Sequence, residues 1–306
     1  MNPSYLLVLL GVVMVSYSGP LVKLALSFGA TPVTVALMRV VLSSAILLPL
    51  MCIRRKGQSE APIRSIFRMT RTQWLWSVAS SACLALHYIT WMTSLDATST
   101  FSSVALVSTQ PLFVAALSGV VLKEHMPKDA RLGAIVSVVG AVLIGLNSLL
   151  GASGDTAGGS SITGDLLALA GALMMACHWL CSRYARRTVD ALPFTLLVYV
   201  QTAVLLVPAI PLLGGFHLNW QSLLCMAGLA VGCTLLGHMM FTIALGKVPA
   251  TVVSFALLGE PVGAMVFSMF MFGEIPGALL LGGGLVTLLG LALYLMGSMG
   301  LLRRKY

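Results

Sequence analysis

The sequence predicts an all-α integral membrane protein whose ten transmembrane helices form two inverted five-helix repeats. Three observations support this fold class: the composition, the number of long apolar segments and an internal repeat. Of the 306 residues, 58% are hydrophobic and only 9% are charged, whereas soluble domains have about 25% charged residues. So few charged groups cannot cover a water-exposed surface, which excludes soluble, disordered and fibrous proteins.

Ten segments are apolar and long enough to cross a bilayer, for which a helix needs about 20 residues. Short turns containing Gly and Pro separate several of them. The segments are 4–28, 32–53, 74–94, 101–122, 131–149, 164–184, 192–214, 220–244, 250–272 and 277–300. The first segment lacks a basic stretch before it and runs directly into the second. We therefore interpret it as a mature helix and not as a signal peptide.

The basic residues predict the orientation of these segments. If the segments alternate, 16 of the 18 Lys and Arg residues lie on one side of the membrane. Basic loops mark the cytoplasmic side, so we expect a multi-pass protein of the bacterial inner membrane with both termini in the cytoplasm. The net charge of +9 is spread over these loops. Nucleic-acid binding, which would concentrate basic side chains on one element, is therefore not predicted.

The two halves of the chain match each other across a Gly/Ser-rich linker. We predict a first five-helix repeat at 1–150, the linker at 151–163 and a second repeat at 164–306. At a shift of 150 residues, Pro111 aligns with Pro261 and Glu124 with Glu274. Because each repeat has an odd number of segments, the second enters the membrane in the opposite orientation. Many secondary transporters are built from such inverted repeats.

The motifs around these matched residues resemble the drug/metabolite transporter superfamily, in its ten-helix EamA-type branch. One motif is Pro111 followed by an apolar helix ending at Glu124, and the other is Gly259-Glu260-Pro261 followed by a helix ending at Gly273-Glu274. Lys123-Glu124 stands where the family usually has Gly-Glu. The resemblance implies a transporter of small amphipathic metabolites, such as amino acids and aromatic or cationic compounds. Members export such compounds or take up related molecules.

Glu260 is the only acid well inside an apolar segment, about 15 Å from the start of the ninth at 1.5 Å per residue. A carboxylate at this depth normally faces a cavity or a partner. It can couple transport to protons or bind a cation, or it can be tied to a neighbouring helix at a break made by Pro261. Its counterpart in the first repeat is Gln110, so the charge belongs to one repeat only.

Prolines and aromatic residues predict a central site. Pro20, Pro111 and Pro261 should break their helices, because proline removes a helical hydrogen bond. Aromatic rings and histidines in both halves can bind apolar or cationic substrates, or can simply pack between helices. Together with Gln110 and Glu260, the predicted substrate-binding residues are Tyr17, His87, Tyr88, Trp91, His178, Trp179, His238 and Phe241.

Four charged residues near the ends of the segments are predicted to gate the site or to form pairs. Glu124 and Glu274 end the fourth and ninth segments, at opposite mouths. Lys23 lies close enough to the outer boundary to snorkel. Arg39 lies about 10 Å inside the second segment, where we expect a structural pair or a snorkelling position. The alternative for Arg39 is binding of a substrate carboxylate.

No catalytic residue, metal site or cofactor is predicted. Cys177 and Cys181 share a helical face beside His178, which could suit a metal, but packing thiols are the simpler interpretation. The chain lacks the nucleophile–base pair or paired carboxylates of an enzyme and a phosphate-binding loop. We predict a monomeric carrier whose partners are a small-molecule substrate, membrane lipid and protons as coupling ion. An intramembrane enzyme or a non-transporting membrane partner protein is the alternative.

Overall fold

A computed structural model of the chain describes residues 3–53, 62–97, 103, 106–149, 162–272 and 278–301. The regular elements in these ranges are helices. The predicted gate residue Glu274 and residues 151–161 of the predicted linker lie outside the described residues.

The helices of the first half follow the predicted segments closely. They are α1 (Pro3–Val15), α2 (Ser18–Ser27), α3 (Pro32–Cys52), the short α4 (Arg64–Phe67), α5 (Arg71–Ala97), α6 (Gln110–Val121) and α7 (Arg131–Leu149). A turn of 3₁₀ helix, Lys128–Ala130, precedes α7. Thr31 begins α3, because its hydroxyl accepts a hydrogen bond from Thr34 N–H at 3.3 Å.

The second half contains the same kinds of element and one unusual stretch. Its helices are α8 (Ile162–Ala185), α9 (Ala191–Leu206), α10 (Trp220–Gly228), α11 (Met239–Leu245), α12 (Ala250–Ala256), α13 (Gly259–Phe272) and α14 (Ala278–Ser298). A π-helix, Leu229–His238, joins α10 to α11 without a turn. Long π-helical stretches are rare and often lie at functional sites. Asn219 and Ser222 form a reciprocal cap that begins α10.

Seven helical stretches of the described residues are long and apolar enough to cross a membrane, so the chain is a multi-pass membrane protein. They are Pro3–Ser27, Pro32–Cys52, Ile162–Ala185, Ala191–Ala209, Trp220–Leu245, Ala250–Phe267 and Leu281–Ser298. The predicted segments 74–94, 101–122 and 131–149 are not among them. α6 has only 12 residues because the helix is interrupted in front of it. The side chains of α7 are described only as far as residue 143.

Helix α5 is long, with 27 residues, but polar side chains lower its hydropathy. These side chains bond to neighbouring helices. Ser77 and Ser81 donate to Gln201 Oε1 of α9 at 2.9 and 2.8 Å. Ser80 Oγ lies 2.9 Å from Ser182 Oγ of α8. Hydrogen bonds of this kind join helices within a membrane, which explains how a polar α5 is accommodated among apolar helices.

The two halves pack against each other in matching ways. Helix α1 contacts the stretch from Leu229 to Leu245, and α8 contacts α5. At the first contact Gly11 lies against the Phe241 ring, and at the second Gly171 lies against Trp91. Gly11 and Gly171 correspond at a shift of 160 residues, and Trp91 and Phe241 at a shift of 150. Residues that correspond in the sequence repeat therefore make corresponding helix–helix contacts.

Helices α7 and α14 touch backbone to backbone along a line that we call the α7–α14 seam, formed by Gly133, Gly140, Gly290 and Gly297. A Cβ atom on Gly140 would lie 2.3 Å from the Thr287 nitrogen, and one on Gly290 would lie 2.2 Å from the Ser137 nitrogen. Such distances are too short for any side chain. Gly140 and Gly290 align at the same shift of 150 residues, and both have a packing role, because only glycine lets the two helices approach this closely.

Candidate functional site

Three helices are interrupted in the interior of the molecule. The turn residues are Ser16-Tyr17, Ser108-Thr109 and Leu257-Leu258. After each turn a helix begins, and its first turn contains Pro20, Pro111 or Pro261 respectively. Proline is favoured there, because the N–H that it lacks would have no helical acceptor. The break expected at Pro20, Pro111 and Pro261 thus takes the form of a turn that lies two or three residues before each proline.

The interruptions of the first and ninth predicted segments lie close to each other. α13 runs past the turn between α1 and α2, and a Cβ on Gly263 would lie 2.1 Å from Ser16 Oγ. The Tyr17 and Phe267 rings stack there with centroids 3.6 Å apart. α12 packs against α6. The breaks of the first and ninth predicted segments therefore lie together, and α6, which begins after the third break, contacts the helix α12 that precedes the break in the ninth segment.

Glu260 and Gln110 occupy equivalent places at the starts of α13 and α6. Glu260 is partly buried and lies within electrostatic range of Arg39. Gln110 is buried, and its Oε1 has no hydrogen-bond partner in the described part of the chain. Pro261 is partly buried beside Glu260. One repeat therefore presents a carboxylate to this region and the other presents an amide.

Arg39 is buried in the middle of the molecule, with 1% of its surface exposed, so it does not snorkel. Its Nε donates to Thr234 Oγ1 at 2.7 Å and its Nη1 to Ser18 Oγ at 3.3 Å. The Tyr88 ring centroid lies 5.3 Å from the guanidinium carbon. No carboxylate of the described residues lies within ion-pair distance of Arg39, and its Nη2 has no hydrogen-bond partner among them. The expected structural pair is thus made with hydroxyl groups and a ring.

Two of the predicted histidines connect helices through hydrogen bonds. His87 Nδ1 lies 2.9 Å from the Gly171 carbonyl oxygen, and His178 Nδ1 lies 3.1 Å from the Ser80 carbonyl oxygen. Because a carbonyl can only accept, each Nδ1 carries the proton that it donates. Both rings therefore have a structural contact between α5 and α8, whatever else they bind.

The aromatic residues form two groups, one in each half of the repeat. The His87 and Trp91 rings stack at 5.6 Å. The Trp179 ring stacks on His238 at 5.8 Å and meets Phe241 edge-on at 5.8 Å. His238 is partly buried, whereas the other four rings are buried. The indole N–H groups of Trp91 and Trp179 have no hydrogen-bond acceptor among the described residues.

The Glu124 lock, formed by Glu124, Arg183 and Arg187, joins the ends of three helices. Glu124 Oε1 lies 2.8 Å from Arg183 Nη2 and 3.0 Å from Arg187 Nη2. Arg183 Nη1 also donates to the Leu245 carbonyl oxygen at the end of α11. The lock therefore ties the ends of α6, α8 and α11 together on the side of the molecule that carries the basic loops.

Lys123, the residue before Glu124, has a positive φ of 56°. This is the left-handed region, which favours glycine. This conformation fits the Gly-Glu pair that the family resemblance implies at this position. Lys23 is exposed near the end of α2. No group of three His, Cys, Asp or Glu side chains in the described residues is arranged to hold a metal ion.

Sequence reasoning missed several residues of this region. Ser18, Thr234 and Phe267 are common apolar-segment residues, and no spacing rule indicates that they contact Arg39 or Tyr17. For the two arginines of the Glu124 lock, the sequence did contain a signal that pointed to pairing with Glu124. Arg183 and Arg187 were placed on the same membrane side as Glu124 by the alternation of the segments, so pairing between them could have been proposed.

Comparisons with known proteins agree with this geometry. The model of the EamA-like transporter family matches the chain twice, over residues 2–146 and 162–296. A solved crystal structure of a protein has the same fold, with a TM-score of 0.80 over 99% of this chain and 100% of the other, at 15% identity. No curated protein matches the sequence. The two family matches cover both halves and nearly the whole chain, so this protein belongs to the EamA-like transporter family.

Proposed function

We propose that this protein is a secondary active transporter that exports small amphipathic metabolites across the bacterial inner membrane by alternating access. The observation that carries the proposal is the family match to each half separately, together with the matching contacts of the halves. Two equivalent halves can exchange their packing and thereby open one site to either side of the membrane.

The proposed topology has ten transmembrane helices in two inverted repeats, at 1–150 and 164–306, with both termini in the cytoplasm. The distribution of Lys and Arg supports this orientation. The proposed active unit is a monomer, because each chain contains both halves of the repeat. The proposed ten transmembrane helices are then the seven apolar stretches together with α5, α6 and α7.

The Glu124 lock is the proposed cytoplasmic gate. It lies among the basic residues and ties the ends of three helices that come from both halves. With the lock formed, the region around the helix interruptions is closed on that side. Opening toward the cytoplasm requires the contacts of Glu124 with Arg183 and Arg187 to break. Lys23 and Glu274 remain the proposed gate residues of the opposite mouth.

The proposed substrate site is the region between the helix interruptions. Tyr17, His238 and Glu260 are partly buried, so they are the proposed first contacts. Rings and polar groups behind them complete the proposed lining: His87, Tyr88, Trp91, Gln110, His178, Trp179 and Phe241. Aromatic surfaces favour amphipathic cargo. Glu260 is the proposed coupling group, at which a proton and the cargo exclude each other.

Transport by purified protein in proteoliposomes tests the proposal. The panel contains aromatic amino acids, small neutral amino acids, and quaternary or aromatic cations, each with and without a proton gradient. We expect at least one class to move, and to move faster when protons flow in the opposite direction. If no class moves under either condition, the transport proposal fails and a non-transporting partner role is favoured. A chemically altered compound would instead indicate an enzyme.

A further inference from the structure

Arg39 presents a hydrogen-bond donor that the protein leaves without an acceptor. A guanidinium has five N–H groups and cannot lose its proton in a protein. Nε and Nη1 are used by Thr234 and Ser18, whereas Nη2 has no acceptor among the described residues although it is buried. An unsatisfied, charged donor inside a membrane protein is costly. Its retention points to an acceptor that is present only during the transport cycle.

The bonds that are made fix the direction of the guanidinium. Thr234 donates its own hydroxyl proton to the Leu229 carbonyl oxygen at 2.9 Å, so its oxygen is free to accept from Arg39. The Tyr88 ring covers the guanidinium, with its centroid 5.3 Å from the guanidinium carbon. Held by two hydroxyl groups and a ring, the guanidinium keeps Nη2 in one place.

A second positive group lies beside the same side chain. α2 has ten residues and begins at Ser18, the residue that contacts Arg39 Nη1. The N-terminus of a helix carries partial positive charge from its backbone N–H groups. Two positive groups at one point are most stable with an anion between them. Glu260 is within electrostatic range but outside ion-pair distance, so it does not fill this role here.

Both partners of Arg39 belong to irregular parts of helices. Ser18 directly follows the turn at Ser16-Tyr17, and Thr234 lies in the π-helix Leu229–His238. These are segments in which a rearrangement would cost few regular hydrogen bonds. Arg39 therefore lies where the central region can open, and its free donor becomes available to a bound molecule when it does.

We propose that Arg39 anchors the carboxylate of the transported molecule, and that the cargo class is small carboxylates, including zwitterionic amino acids. This inference rests on the proposed transport function and narrows it. A planar guanidinium is well matched to a carboxylate. A cargo that carries only positive charge is excluded, because the fixed cation repels it.

Two matched ligand pairs test this in the wild-type protein, so that the test does not depend on whether a variant folds. The pairs are L-phenylalanine with L-phenylalaninamide and L-leucine with L-leucinamide, and 3-phenylpropionate and phenethylamine are added as pure anion and pure cation. Binding is measured as the shift in the thermal unfolding midpoint of the purified protein. We expect at least one acid to bind about tenfold more tightly than its amide, and phenethylamine not to bind.

Arg39→Gln and Arg39→Lys extend the test to the residue. Arg39→Gln should weaken binding of the acid by about tenfold to a hundredfold and should bring the acid and its amide close together. Arg39→Lys keeps the charge without the planar fork and should lie between. Gel filtration and the unfolding midpoint without ligand identify any variant that is misfolded.

The inference is overturned if acid and amide bind alike in the wild type, if phenethylamine binds best, or if no carboxylate binds. It is also overturned if a folded Arg39→Gln protein keeps the preference for the acid, because Arg39 would then be a structural residue. These results are separable from the transport proposal. Amides or amines that cross proteoliposomes would leave the carrier standing, whereas acid-selective binding without any transport would leave only the anion site.

Discussion

Glu260 shows how one residue breaks the symmetry of a repeated fold. Its place at the start of α13 corresponds to that of Gln110 at the start of α6. The sequence indicated this asymmetry, because an acid deep in an apolar segment stands out. It did not indicate Arg39 as the cation within range, since that relation depends on how α3 packs against the other helices.

We expect Glu260→Gln to weaken the pH dependence of transport, because glutamine cannot bind and release the proton that a carboxylate exchanges. The measurement is the initial transport rate in proteoliposomes at several external pH values. The double variant Gln110→Glu/Glu260→Gln is the matched control, since it moves the carboxylate to the equivalent position of the other repeat. A Glu260→Gln protein whose pH profile equals that of the wild type would leave Glu260 with a structural role only.

The backbone conformation of Lys123 leads to a second prediction for a single residue. At φ 56° a residue with a Cβ atom is strained by about 1 kcal/mol. Lys123→Gly should therefore raise the unfolding midpoint of the purified protein. Lys123→Ala removes the same charge but keeps the Cβ, so it should give little or no gain. Equal effects of the two substitutions would show that charge, and not backbone strain, determines stability at this turn.

Among the elements, the positions of the helices were predictable and their irregularities were not. The predicted segment 220–244 is found as a helical stretch from Trp220 to Leu245, because a long apolar run has few alternatives in a membrane. The π-helix within it has no sequence signal, because an extra residue per turn is tolerated through packing. The prolines indicated that these helices break, but they did not indicate that each break is a turn after which a new helix begins.

Two glycine substitutions near the α7–α14 seam should change stability in different ways. Gly140→Ala would place a Cβ 2.3 Å from the Thr287 nitrogen, so we expect destabilisation of about 1 to 3 kcal/mol. Gly282→Ala on α14 meets nothing within 4 Å and should be neutral or slightly stabilising. Unfolding midpoints of the two variants give the comparison. If Gly140→Ala is as stable as Gly282→Ala, the seam is not a close backbone contact.

At the scale of the whole molecule, the Glu124 lock connects the two halves on the basic side. Arg183 and Glu124 are mostly buried, with 13% and 16% exposed, whereas Arg187 is 41% exposed, so only the Arg183–Glu124 pair is stronger than a surface ion pair. The expectation that Glu124 and Arg183 lie on the same side of the membrane followed from the sequence. The contact of Glu124 with Arg183 did not, because it joins residues of different repeats through the packing of α6 on α8.

We expect Glu124→Gln to shift the molecule toward states open to the basic side, because glutamine cannot hold two arginines by charge. His238→Cys in a variant without the native cysteines reports this opening. Its labelling from the cytoplasmic side should accelerate about fivefold to tenfold. Lys247→Gln, which removes an exposed charge outside the lock, is the control. Unchanged labelling in Glu124→Gln would show that the lock does not hold the mouth closed.

The α7–α14 seam also separates the helices that we expect to stay fixed from those that we expect to move. Helices whose backbones touch at several points can neither slide nor rotate against each other without losing those contacts together. α7 and α14 come from opposite halves, so we expect this pair to stay fixed while other helices of both halves move. If the protein transports by alternating access, as proposed, we expect the displacements to occur in the interrupted helices around Tyr17 and Glu260. A covalent cross-link between α7 and α14 should accordingly leave transport intact, whereas one between α1 and α13 should stop it.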